Sequence, residues 1–186
     1  KWVSDRSSHT KIVAPSGASQ AVKDSADYVA NGTNDESVIN SALTAAAGGT
    51  VLLLPGTYTA TGTILIPDGT TLAGSGANTS IVKLNVASSS DNLVENSDTS
   101  TGSGVSLKDL TLDGSLGTGG TQNAIYLNGM ADNNGGAAYT NLNIINWNHG
   151  VGLLADNSSY IHTFSNNNLF DNGTASSSSV LLDHGS

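Results

Sequence analysis

Residues 48–76 read GGTVLLLPGTYTATGTILIPDGTTLAGSG. Four consecutive apolar residues, Val51 to Leu54, stop at Pro55-Gly56; a Thr-rich alternation follows, stops at Pro67-Asp68-Gly69, and restarts. Strands this short cannot make a stable isolated hairpin sheet. They can be stable if the chain coils, so that each strand lies about 4.8 Å above its predecessor and pairs with the turns above and below. Inward residues would then stack as ladders of Leu, Ile and Val. Gly, Asn and Asp would hold the corners, because they tolerate left-handed backbone and bond locally.

The chain before Gly49 is different. KIVAP at residues 11–15 suits a strand, SQAVKDSA at 19–26 a short helix, and DYVA at 27–30 a second strand. In NGTNDESVINSALTAAAGG, Val38, Ile39, Ala42, Leu43 and Ala46 form a helical stripe. Asn34 or Asp35 is placed to cap its start, and Gly48-Gly49 end it. A solenoid must cover its exposed first edge, and an amphipathic helix just before the first coil would do so. After residue 49 come the strand-like runs TVLLL, TATGTILI, TTLAG and SIVKLN. Residues 87–104 read as a polar surface loop around a Leu-Val pair. A looser repeat follows in LKDLTLDGS, TNLNIINWNHG and NNNLFDNG, each trailed by a second apolar phrase (AIYLNG, GVGLLADN, SVLLDHG). Copies about 25–30 residues apart signal stacked repeats.

The expected fold is therefore mainly β, a right-handed parallel β-helix. Residues 1–49 are an N-terminal α/β segment with the capping helix, and residues 50–186 are rungs. The last phrase stops inside a rung-like pattern, so the coil is expected to be incomplete or completed by another chain.

Charge narrows the partners. Charged residues are only 11% of the chain and the net charge is −9. All six basic residues (Lys1, Arg6, Lys11, Lys23, Lys83, Lys108) precede residue 109. Nucleic-acid affinity rests on cationic contacts, so nucleic acid is excluded as a partner. No run of about 20 apolar residues occurs, which argues against membrane insertion. The uncharged polar composition points to an extracellular, cell-surface or virion setting. There is no cysteine, so disulfides and thiolate metal sites play no part. Four Asn-X-Ser/Thr sequons, at Asn31, Asn78, Asn157 and Asn172, carry little weight in so Asn- and Ser-rich a chain.

The stretch ADYVANGTNDESVINSALTAAAGGTVLLLPGTYTATGTILIPDGTTLAGSG resembles the opening of pectate-lyase-like right-handed parallel β-helix proteins. The resemblance rests on Gly32, Asp35, Ala42, Gly48-Gly49, Pro55-Gly56-Thr57-Tyr58 and Leu72-Gly74-Gly76. It covers residues 26–84, and the later rungs by pattern. The same opening heads polysaccharide lyases, hydrolases, epimerases, phage tailspikes and non-catalytic extracellular proteins. The resemblance thus implies the fold more specifically than the activity.

Candidate chemistry lies on the later rungs. A lyase of this kind uses a Lys or Arg base, which the sequence after Lys108 lacks. A polyuronate would also meet a negative wall unless Ca²⁺ bridged it, and Ca²⁺ is the one cofactor left open. Hydrolysis needs two carboxyls about 5–9 Å apart. If Leu112-Asp113, Ile145-Asn146 and Phe170-Asp171 stack, Asp113 and Asp171 lie about 9.6 Å apart along the axis. His149 between them would assist. Trp147, Tyr126 and Tyr160 are the candidate sugar-stacking aromatics. The competing reading is an Asp/Asn/Asp corner ladder with Trp147 and Phe170 partly in the core. His149 and His184 lack the spacing of a metal site. Thr57, Thr59, Thr61 and Thr63 alternate on one strand face as an ice-binding array would, yet the pattern does not recur on later rungs.

Three functions remain in view: a tailspike-like extracellular or virion module that binds or degrades polysaccharide; a structural or adhesive rod; and a lyase or glycoside hydrolase whose site lies beyond residue 186. A homotrimer or larger assembly is compatible with each.

Overall fold

The computed structural model describes residues 9–86, 91–117, 121–130, 136–147, 152–156, 162–170 and 180–182. The first coil runs through β3 (Thr50–Leu53), β4 (Gly56–Ala60) and β5 (Ile64–Ile66). The same circuit recurs in β6 (Thr71–Gly74), β7 (Ser80–Leu84) and β8 (Val94–Asn96), then in β9 (Ser106–Lys108), β10 (Thr111–Asp113) and β11 (Ile125–Asn128). It continues through β12 (Ala137–Thr140), β13 (Asn143–Ile145) and β14 (Leu153–Asp156), then β15 (His162–Ser165), β16 (Asn168–Phe170) and β17 (Val180–Leu182). Five rungs therefore build three sheets among the described residues. Sheet A holds β3, β6, β9, β12 and β15; sheet B holds β4, β7, β10, β13 and β16; sheet C holds β5, β8, β11, β14 and β17. Every strand pairing is parallel. The chain is a parallel β-helix.

Ladders of side chains fill the interior. In sheet A, Val51, Leu72, Leu107 and Tyr139 are in register and buried. Tyr58, Val82, Leu112 and Ile144 do the same in sheet B, and Ile64, Val94, Ile125 and Leu153 in sheet C. Each such burial contributes about 2 kcal/mol before chain entropy is charged against it. Tyr58 explains why the PGTY phrase ends in Tyr. Its ring is in the core, and its hydroxyl donates to the carbonyls of Val13 (2.8 Å) and Leu54 (2.9 Å). Burial, with the nearby Asp35 charge, pushes that phenol far above its ordinary pKa.

The corners between sheets A and B are single left-handed Asx residues: Asp109 (φ 57°), Asn141 (φ 52°) and Asn166 (φ 54°). They also bond along the stack, Asn141 Nδ2 donating to Asp109 Oδ1 at 2.7 Å. At the corresponding corner of the second rung, a Cβ on Gly74 would collide with the Asp109 carbonyl. Beside sheet C, Asn123 Nδ2 donates to Asn92 Oδ1 (2.7 Å), and Asn96 exchanges bonds with the Asn128 backbone. These ladders satisfy polar groups that burial would otherwise leave unpaired.

The mouth of the coil is closed in two ways. Sheet A is extended by β1 (Thr10–Ala14), which pairs with β3, and by β2 (Tyr28–Val29), which pairs with β1. A short helix, α1 (Gln20–Ser25), joins β1 to β2. Sheets B and C are instead covered by α2 (Asp35–Ala45), whose Ile39, Ala42 and Leu43 are fully buried. Polar side chains of α2 terminate the first rung's backbone. Asp35 Oδ2 accepts from Thr59 N (2.8 Å), Glu36 Oε2 from Thr61 N (2.8 Å), and Asn40 Oδ1 from Leu65 N (2.8 Å). Asn40 Nδ2 donates to the Thr63 carbonyl (2.9 Å). Asn34 is the N-cap residue, but its side chain makes no capping bond. Asp35 holds the preceding turn through Asn31 N and Gly32 N instead. The edge is thus satisfied by side chains where sheet A satisfies it with strands.

Two sequence expectations need correction. Residues 87–104 are not simply a loop: Val94–Asn96 is strand β8, paired with β5 and β11, with Leu93 and Val94 fully buried. TATGTILI is not one strand-like run but is divided between β4 and β5, which lie in different sheets.

Candidate functional site

Outward positions on the three sheets carry different chemistry. One outer row of sheet A runs Thr10, Thr50, Thr71, Ser106, Ala138 and Thr163, small and uncharged, and the other includes Leu52, Lys108 and Thr140. Sheet B carries Thr59, Lys83, Asp113, Ile145 and Phe170 in register. Sheet C carries Leu65, Glu95, Tyr126 and Leu154.

On sheet B, Asp113 is 5% exposed. Its Oδ2 lies 3.0 Å from Lys83 Nζ, and its Oδ1 accepts from Asn146 Nδ2 (2.8 Å) and Ser115 N (2.9 Å). Burial alone would raise this carboxyl; the bonds from Asn146, Lys83 and Ser115 outweigh it and hold the group below its ordinary range. Asp113 is an ionised anchor with both oxygens engaged, a poor proton donor for hydrolysis.

The stacking premise behind an Asp113–Asp171 pair is off by one residue. Asp113 aligns with Ile145 and Phe170, not with Asn146 and Asp171. Asn146 adopts φ 64°, which turns it off the strand and lets its amide reach back to Asp113. Asp171, His149 and Tyr160 lie outside the described residues. Trp147 is 2% exposed, and its Nε1 donates to the Leu112 carbonyl at 3.2 Å. That ring belongs to the core and offers no face to a sugar, a correction to its expected stacking role. Phe170, expected partly inside, is 65% exposed because its register position faces outward.

Sheet C is where a sequence candidate meets a suitable neighbourhood. Tyr126 is half-buried on the outer face, directly above Glu95 on the adjacent rung. Leu65, 43% exposed, and half-buried Leu154 extend the strip on either side. Glu95 Oε1 accepts from Asn92 Nδ2 at 2.7 Å, and Asn92 is itself held by Asn123 in the buried ladder. The carboxylate is therefore pre-positioned by an amide relay rooted in the corner. Neither Glu95 nor Lys83 stood out in the sequence. The signal was present only as register: each lies at an outward position of a strand whose partners are distant in sequence.

Chemically, this strip supplies apolar and aromatic contact flanking a fixed hydrogen-bond acceptor. Among the described side chains of this row (Leu65, Glu95, Tyr126 and Leu154), Glu95 is the carboxylate. Among the described residues, no group of three or more His, Asp or Glu could hold a metal ion. No helix among them is long and apolar enough to cross a membrane.

Residues 21–109 match the family model described as "Rhamnogalacturonase A/epimerase, pectate lyase-like". This segment runs from α1 through the first two rungs to the Asp109 corner. No curated protein matches. Among solved structures, the chain is similar to ORF18 of Geobacillus virus E2, with 19% identity and a TM-score of 0.48, covering 82% of this chain and 33% of that one. It is also similar to the A-module of the mannuronan C-5 epimerase AlgE6 of Azotobacter vinelandii, with 18% identity and a TM-score of 0.45, covering 83% of this chain and 56% of that one. The chain thus spans a third and a little over half of these two. With its α2-capped mouth and PGTY rung, the chain is a parallel β-helix whose residues 21–109 match the pectate-lyase-like family model.

Proposed function

We propose that this protein is an extracellular or virion module, tailspike-like, that binds polysaccharide along the outer face of sheet C. The observation that carries the reading is the in-register stack of Glu95 and Tyr126 between Leu65 and Leu154. An extended glycan presents apolar C–H faces and hydroxyl edges, and this strip offers an aromatic and two leucines for the first and a carboxylate for the second. From Leu65 to Leu154 the strip spans three rung steps, about 14 Å along the axis. The family description, which names a rhamnogalacturonase, supports a polysaccharide as the ligand class. The uncharged polar composition supports a location outside the cell or on a virion.

A glycan array with product analysis by mass spectrometry tests the reading. The intact chain should bind at least one polysaccharide, and Tyr126→Ala should weaken that binding about tenfold, the loss of one aromatic anchor worth about 1.4 kcal/mol. Unchanged binding by Tyr126→Ala, or no binding at all, would overturn it. Binding without shortened products marks a receptor-binding module; shortened products mark a depolymerase.

A further inference from the structure

We infer that the sheet C strip takes a neutral polysaccharide rather than a polyuronate; the inference rests on the binding reading above and names its substrate class. The reason is the distribution of cations. None of the five strands of sheet C contains Lys or Arg, and residues 109–186 contain neither. Of the six basic residues, Lys83 is on sheet B and held by Asp113 at 3.0 Å, and Lys108 is on the outer face of sheet A. A carboxylated polymer laid along sheet C would meet Glu95 with no cation beside it among the described residues of the strip, on a chain of net charge −9. Two like charges about 4–8 Å apart repel by up to about 1 kcal/mol in water, and more where a bound polymer displaces that water. Hydroxyls have the opposite relation to the site. Glu95, already fixed by Asn92, accepts their protons without rearrangement. Neutral sugar faces gain contact with Tyr126 and Leu154 at no electrostatic cost.

The test compares matched oligosaccharides by calorimetry on the intact chain. Neutral glucan, galactan and mannan oligomers are set against oligogalacturonate of equal length, at 0.01 M and 0.15 M NaCl, each with Ca²⁺ or EDTA. The Debye length falls from about 30 Å to about 8 Å between these salts. The best neutral oligomer should bind with an affinity that changes less than twofold with salt. Oligogalacturonate should bind at least tenfold more weakly at low salt and gain affinity as salt screens the repulsion. Glu95→Lys should reverse the discrimination, raising oligogalacturonate affinity about tenfold at low salt. Oligogalacturonate binding as tightly as the best neutral oligomer, with or without Ca²⁺, overturns the inference while leaving sheet C as the binding face if Tyr126→Ala abolishes it. Failure of every oligomer to bind overturns the binding reading itself. A salt-resistant preference for a cationic amino-polymer would overturn the neutral assignment too.

Discussion

Sheets B and C are built by the same five rungs, yet their outer faces dispose of charge in opposite ways. On sheet B the carboxylate of Asp113 is closed off by Lys83, Asn146 and Ser115, and only 8% of its side chain is exposed. On sheet C the carboxylate of Glu95 takes one amide bond from Asn92 and stands next to a half-buried tyrosine and two leucines. The two acids occupy equivalent places in the fold, each at an outward strand position. What separates them is the neighbour one rung away: Lys83 beneath Asp113, Tyr126 above Glu95. In a solenoid, the role of an outward acid is set by the rung next to it and not by its own strand.

The largest perturbation should abolish the difference by removing what both faces share. Helix α2 terminates the first strands of B and C through Asp35, Glu36 and Asn40. Leu43, fully buried at its centre, anchors it. Leu43→Ala should cost about 3 kcal/mol, lowering Tm by roughly 10 °C for a chain of this size. Calorimetric unfolding would check it; a loss under about 1 kcal/mol would mean that the helix is not what closes the coil.

Next comes a change confined to one face. Asp113→Ala leaves Lys83 and the Asn146 amide without their acceptor. Because the carboxylate is 8% and the lysine 30% exposed, the cost should be about 2 kcal/mol, between the values for surface and buried pairs. Glycan affinity should not move. A variant as stable as the parent but impaired in binding would invert the assignment of the two faces.

The contrast also shows what the sequence could and could not reveal. Periodicity disclosed α2, because Val38, Ile39, Ala42, Leu43 and Ala46 form a stripe whatever they pack against. Pro-Gly punctuation disclosed the first rung, and Asx-Gly exits most of the later ones. AIYLNG, GVGLLADN and SVLLDHG became β11, β14 and β17, all in sheet C. Strand β8 stayed hidden because Val94, Glu95 and Asn96 are flanked by Ser, Asp and Thr, and its only apolar signal is a Leu-Val pair. Register was the harder loss. Asp113 pairs with Ile145 and Phe170, one position from the alignment that the Asx-Gly exits suggested. An offset of that kind leaves no trace in hydrophobic pattern. Trp147 was open to two readings, sugar stacking or the core, and the turn folds it under Gly114 into the core.

A subtler change sharpens the comparison on the sheet C side. Glu95→Gln keeps an oxygen to accept from Asn92, so stability should stay within about 0.5 kcal/mol of the parent. Exchanging a charged for a neutral acceptor should weaken glycan binding about threefold, roughly 0.6 kcal/mol, as charge-assisted bonds are the stronger kind. Titration calorimetry would register it. A Tm loss comparable to that of Asp113→Ala would show that the two acids do the same structural work and that the distinction between the faces is false.

The smallest effect is a slope against pH, and its sign is fixed by the environment of Asp113. Its folded-state pKa lies below the ordinary value of 3.8, because the donors from Asn146, Lys83 and Ser115 outweigh desolvation. A depressed carboxyl contributes stability that is fully present above the unfolded pKa and is lost as pH falls through the folded one. The parent should therefore exceed Asp113→Asn in Tm by a constant margin from pH 7 down to about pH 5. The margin should shrink steadily below about pH 4, as protons displace Lys83 from the carboxylate. Thermal melts of both proteins from pH 7 to pH 2.5 would resolve this. A margin for Asp113 that widened toward low pH would mean that the group is destabilised by its charge, and the ion pair with Lys83 could no longer be what distinguishes sheet B.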